Sequence, residues 1–172
     1  MATDLKTKLS TVLLAIRQRL IDKKLFLPEQ VYLSLRMNPP LHIQADQYAL
    51  IVPLTQTVDV ENWDGGSRYN TLMHGRVNVY LRSRLALDQP YQDHYWLTDG
   101  DFGALDKMHD ILDALISFTP EDDDGDAILE EPIRLLFTNE PRKDYQNPEW
   151  GEIMAEFEIS YRLNLQITAA EQ

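Results

Sequence analysis

Four histidines (His42, His74, His94 and His109) and 28 carboxylates are the raw material for chemistry in this chain, which has no cysteine. Without thiols there is no disulfide framework, no Cys-ligated zinc or iron–sulfur centre and no thiol nucleophile. The histidines form neither a His-Glu-x-x-His helix signature nor a close pair, so a zinc site has nothing to start from. His109 and Asp113 stand one helical turn apart, the spacing of a hydrogen-bonded pair on a solvent-facing helix surface. Asp101-Phe102-Gly103 spells a kinase tripeptide, but the glycine-rich loop and His-Arg-Asp segment that give those residues a role are missing. The seven glycines are scattered, and Gly65–Gly66 precedes no helix that could cradle a phosphate. No serine sits in a nucleophile elbow. With so many carboxylates some pair must lie close, yet nothing selects one for acid–base work.

The strongest metal candidate is Pro120-Glu121-Asp122-Asp123-Asp124-Gly125-Asp126 with Glu131 beyond it. On the calcium-loop template Asp122 and Asp124 fall at positions three and five, Gly125 at six and Glu131 at twelve. Position one, which needs a carboxylate, is Pro120, and Pro132 interrupts the second helix such a loop requires. A solvated acidic turn is therefore expected, with no metal and no cofactor. A monomeric acidic ligand- or calcium-binding module stays as an alternative.

Charge narrows the partners. Over 172 residues, 16 basic side chains against 28 acidic ones give −12, a surface that repels phosphate and argues against gripping nucleic acid. The distribution is uneven: residues 1–86 hold 11 basic and 7 acidic side chains, residues 87–172 hold 5 and 21. Such a chain can set one copy's basic surface against the next copy's acidic one, head to tail, although acidic residues also simply maintain solubility. Length and a 44% hydrophobic content fit one domain over 1–172 with a real core, residues 168–172 reading as a flexible tail. The charged N-terminal pattern is neither a signal peptide nor a membrane span, which points to a cytoplasm-like compartment.

The elements that must position these residues follow from periodicity. Leu5, Leu9, Val12, Leu13, Ile16 and Leu20 lie on one stripe of an amphipathic helix that packs on a sheet. Val31, Leu33 and Leu35 alternate as a strand before Pro39–Pro40. Tyr48–Val52 reads as a buried strand stopped by Pro53, and 54–72 as a long loop or mobile hairpin with Trp63 and Arg68 as contact candidates. Val77, Val79, Leu81 and Leu85 alternate with Arg76, Asn78, Tyr80, Arg82 and Arg84, placing a row of arginines on the face away from the core. A capping-box-like start at Thr98 opens a second helix through Ile116, and Ile133–Phe137 reads as a strand. Ile153–Leu165 alternates throughout, with Glu156 and Glu158 on its polar side, and at about 3.3 Å per residue spans about 43 Å. Strands usually run five to six residues, so this one bends across the domain or reaches a neighbour. The fold class is α+β: a largely antiparallel, mixed sheet with two main helices on one face.

The order of these segments carries a resemblance. An amphipathic N-terminal helix leads to a Pro-Pro break, a strand to Pro53 and a long loop. "GRVNVYLRSR", "DGDFGALDKMHDILDAL", "EPIRLLF" and "WGEIMAEFEISYRLNL" follow in turn. This arrangement over most of residues 1–167 resembles the tail terminator and neck-completion proteins of long-tailed bacteriophages. The resemblance implies a non-enzymatic virion protein, assembled in the host cytoplasm and residing in the tail or neck. It would form a ring, typically a hexamer, at the head-proximal end of the tail tube. There it would stop tube growth and present a docking surface to the head connector, with DNA passing through unbound. A head–tail stopper or tail-completion protein is the neighbouring alternative. The family supplies no fixed functional motif, so the subunit-contact candidates come from the residues: Arg76, Arg82 and Arg84 on one side, Glu156 and Glu158 on the other, with Trp63 and Arg68 as ring-contact candidates. These arginines and glutamates are equally suited to pairing across strands of one sheet.

Overall fold

The alternation that defines the two long polar-and-apolar segments is the organising feature of the computed structural model. It describes residues 3–34, 45–59, 68–85, 97–98, 103–122, 125–144 and 147–166. Helix α1 spans Thr3–Asp22 and is followed by a 3-10 turn at Pro28–Gln30 and strand β1, Val31–Leu33. Strands β2 (Gln47–Asp59) and β3 (Arg68–Arg84) precede helix α2 (Ala104–Leu115). Strands β4 (Arg134–Thr138), β5 (Arg142–Lys143) and β6 (Trp150–Gln166) complete the order. The six strands form one sheet in the order β1-β2-β3-β6-β4, with β5 also on β6; β1 is parallel to β2 and every other pairing is antiparallel. The fold is α+β with a mixed, mostly antiparallel sheet.

Period-two alternation splits the sheet into two faces. Met73, Val77, Val79 and Leu81 of β3 and Ile153, Ala155, Phe157, Ile159 and Tyr161 of β6 point toward the helices. They meet Val12, Ile16 and Leu20 of α1 and Met108, Ile111 and Leu115 of α2 in one continuous core. The two helices lie against each other on this face, where Arg19 Nε donates to the Ala114 carbonyl at 3.1 Å and its guanidinium stacks on Phe118. α1 stops where expected: Lys24 adopts a positive φ of 57°, which no helix continues. Near the sheet's first edge, Arg17 donates to the carbonyls of Val31 and Pro28, at 3.1 and 2.6 Å, tying α1 to β1 and to the 3-10 turn before it.

Two expectations change, and one open alternative is decided. The strand through Tyr48–Val52 does not stop at Pro53; β2 runs on to Asp59, with a register irregularity between Pro53 and Gln56 that absorbs the missing N–H. Of the two readings of 54–72, long loop or hairpin, the strand pairing supports the hairpin. Residues 54–59 and 68–72 are the arms of a hairpin, paired through Asp59↔Leu72. Thr98 is helical but does not start α2: Gly103 is non-helical and caps α2 with no side-chain bond. The proposed long strand is real and longer still. β3 and β6 pair without a break from Arg68↔Gln166 to Arg84↔Trp150. The Pro39–Pro40 break, Trp63, His42, His94 and residues 168–172 lie outside the described residues. No described helix is long and apolar enough to cross a membrane.

Candidate functional site: the charged face of the sheet

The face away from the helices is where the predicted site residues meet. On β3 the even-numbered side chains Arg76, Asn78, Tyr80 and Arg82 share it with Glu152, Met154, Glu156, Glu158 and Ser160 of β6, the cross-strand register setting Arg76 opposite Glu158 and Arg82 opposite Glu152. At one end sits a small apolar cluster of Tyr48, Leu50, Val52 and Tyr80, bordered by Tyr32, Trp150 and Met154. Tyr48 packs edge-on against both Tyr32 and Trp150, at centroid distances of 5.7 and 5.2 Å.

Beside that cluster, Glu152 is clamped by two arginines. Arg82 donates through Nε and Nη2 to its Oε2, at 2.9 and 2.8 Å, while Arg142 donates through Nε and Nη2 to Oε1, at 3.1 and 2.7 Å. Asp144 adds a second carboxylate 3.0 Å from Arg82 Nη2, and the Tyr48 hydroxyl accepts from Arg82 Nη1 at 3.4 Å. Two positive and two negative groups therefore neutralise one another. For Arg82, burial works to lower its pKa, but bonds from Tyr48 and Glu152 outweigh it and the net shift is upward. Burial raises Tyr48 above its ordinary value, with Arg82 partly opposing; burial likewise raises Tyr80. Arg142 is raised chiefly by its hydrogen bond to Glu152.

Farther along the sheet, Arg76 Nη1 donates to Glu156 Oε1 at 3.0 Å and Arg134 pairs with Glu158. Among buried side chains, Asn78 gives its amide N–H to the Tyr80 hydroxyl at 3.1 Å while its Oδ1 meets no donor. Arg84 sits at the rim, 3.7 Å from Asp46, 3.6 Å from Glu149 and over the Trp150 ring.

Arg82 is only 6% exposed, so it is corrected from a subunit-contact candidate to an internal group: its guanidinium is consumed within its own chain. Glu156, 6% exposed and held by Arg76, is internal for the same reason. Glu158 is bound to Arg134 of its own sheet. Arg76 and Arg84 keep more than half or about half of their side chains in solvent. Arg68 opens β3 opposite Gln166 and is not brought to this cluster. Glu152, Asp144, Arg142, Tyr48 and Asn78 were not anticipated as a unit. Glu152 continues the polar alternation of β6 by one step and was findable. Arg142 and Asp144 lie in and after a two-residue strand too short to show any period.

The remaining candidates resolve locally. His109 and Asp113 form an exposed pair at 3.6 Å. In the acidic turn, Asp122 Oδ1 accepts the Asp126 N–H and Gly125 takes a φ of +85°, the hairpin closing through a bridge between Glu121 and Ala127. No grouping of three or more His, Asp or Glu suited to a metal occurs among the described residues. Chemically, the charged face can stiffen a sheet and present guanidinium groups, its carboxylates being engaged by arginines of the same chain. No protein-family model matches the chain, and no curated protein matches it.

Proposed function

We propose that this chain is a structural subunit that works by shape: one wedge of a ring, of the kind that ends the tail tube of a long-tailed bacteriophage and joins it to the head connector. The observation that carries the reading is the length of the central strands. β3 and β6 each run 17 residues in unbroken register, about 56 Å at roughly 3.3 Å per residue. A compact sphere of this chain length, with a radius of gyration of about 16 Å, is only about 40 Å across. Strands longer than that diameter suit an elongated building block more than an enclosed site. The order of elements quoted above supports the same family. So does the internal neutralisation of charged groups on the sheet, which fixes geometry without leaving reactive groups poised.

Native mass spectrometry and negative-stain micrographs, on the protein alone and mixed with tail tube protein, test the reading. A closed ring in either condition is the expected result. A strict monomer in both overturns it, and a melting temperature that rises with calcium would favour the binding-module alternative.

A further inference from the structure

On the charged face the arginines stand outward and their carboxylates lie beneath. Arg76, Arg134 and Arg142 expose 61, 65 and 52% of their side chains, while partners Glu156, Glu158 and Glu152 expose 8, 27 and 5%. Phe137, 46% exposed and opposite Glu156 in the β4–β6 register, sits among them on β4, which borders the sheet. A guanidinium carries five donors in a fixed fork. Arg76 and Arg134 each use one nitrogen on their glutamate and Arg142 uses two, so every fork keeps at least one nitrogen that these pairs do not use. An exposed aromatic framed by arginines has the composition of an interface centre.

A complementary surface exists on the same chain. The outer side of α2 carries exposed Asp106, Asp110 and Asp113 between exposed Leu105 and Ile116, 44 and 43% accessible. Asp106 and Asp110 have no ion-pair partner among the described residues. α2 packs on the helical face of the sheet, so the two patches of one molecule face opposite ways and cannot meet within it. Their lengths agree: Leu105 to Ile116 rises about 16 Å, and the arginines spread over the six residues between Glu152 and Glu158, about 20 Å.

We infer that the arginine-framed patch of Arg76, Arg134, Phe137 and Arg142 receives the outer face of α2 from a second copy of this chain. Two different surfaces then meet at each contact, and repetition closes a ring or extends a filament. The inference rests on the ring reading above and specifies its contact. Because the chain has no cysteine, single cysteines report the geometry cleanly. Chains carrying Arg134→Cys and Asp110→Cys, mixed and treated with a short bismaleimide, should cross-link between chains, and neither variant should do so alone. A second variant, Asp110→Lys with Asp113→Lys, should reduce assembly at least tenfold with an unchanged unfolding midpoint, since both positions are exposed and lie beyond the first turn of α2. If the unmodified protein assembles while either cysteine chain couples to itself, or the lysine variant assembles normally, this contact is wrong and the ring stands. If the unmodified protein never assembles, the ring reading falls and takes the contact with it.

Discussion

Arg82 and Arg84 are two residues apart on one strand and behave as different kinds of residue. Arg82 is buried against Glu152 and Asp144, and Arg84 is half in water against two weak partners. Removing Arg82 takes its ion pair from Asp144 and half of the clamp from Glu152, which Arg142 still holds, so Arg82→Ala should cost clearly more than Arg84→Ala, which should cost less than about 1 kcal/mol. Urea denaturation of the two variants checks the contrast. Charge reversal at Arg82 therefore tests folding, and association is better probed at exposed positions. Gly75 offers a second residue-scale test. A Cβ there would come within 2.2 Å of Gln56 Oε1, the acceptor for the Tyr161 hydroxyl. Gly75→Ala should push Gln56 aside and cost about 1 kcal/mol through the lost bond. Adding Gln56→Ala to that variant should then cost little more, a non-additivity measurable in a double-mutant cycle.

At the scale of elements, the strands carry three tyrosines whose phenols resist ionisation. Tyr48, Tyr80 and Tyr161 are all raised above their ordinary 10.0, burial being the leading cause for each. The unfolded chain releases these protons near pH 10 while the folded chain retains them. Their stabilising contribution is thus intact below that pH and lost as pH rises through and beyond it. Melting temperature should fall above about pH 10, and tyrosinate absorbance of the folded protein should show three phenols titrating later than the rest. How far these elements were legible follows from their length. β3 and β6 declare themselves because alternation persists over many residues, and α1 because its apolar stripe recurs for about four turns. β2 was cut short because Pro53 reads as a stop, although a register irregularity lets it pass. The start of α2 was misplaced because Thr98 and Asp101 imitate a cap that Gly103 fills. The Glu152 clamp was invisible as a set because Arg142 and Asp144 come from a strand of two residues, and only the fold places them over β6.

The whole molecule is a strongly acidic protein with one face of outward arginines, so association should respond to salt. If α2 of one copy meets that face of the next, raising sodium chloride from 0.05 to 0.5 M shortens the Debye length from about 14 to about 4 Å. The ring should then loosen by about tenfold or more in protein concentration, as read by sedimentation velocity, with Phe137, Leu105 and Ile116 supplying the part that salt does not remove.

The pairing of β3 with β6 also governs when the molecule can come into being. Arg84 must find Trp150, and Arg68 must find Gln166, across all of α2, β4 and β5. A ribosome makes β6 after every other strand of the sheet, so the β2–β3 hairpin waits with its inner edge bare until that last strand emerges. Contacts so distant along the chain form slowly. During that interval the bare edge is open to the wrong neighbour, and a cell making many copies at once would gain most from a chaperone that shields it.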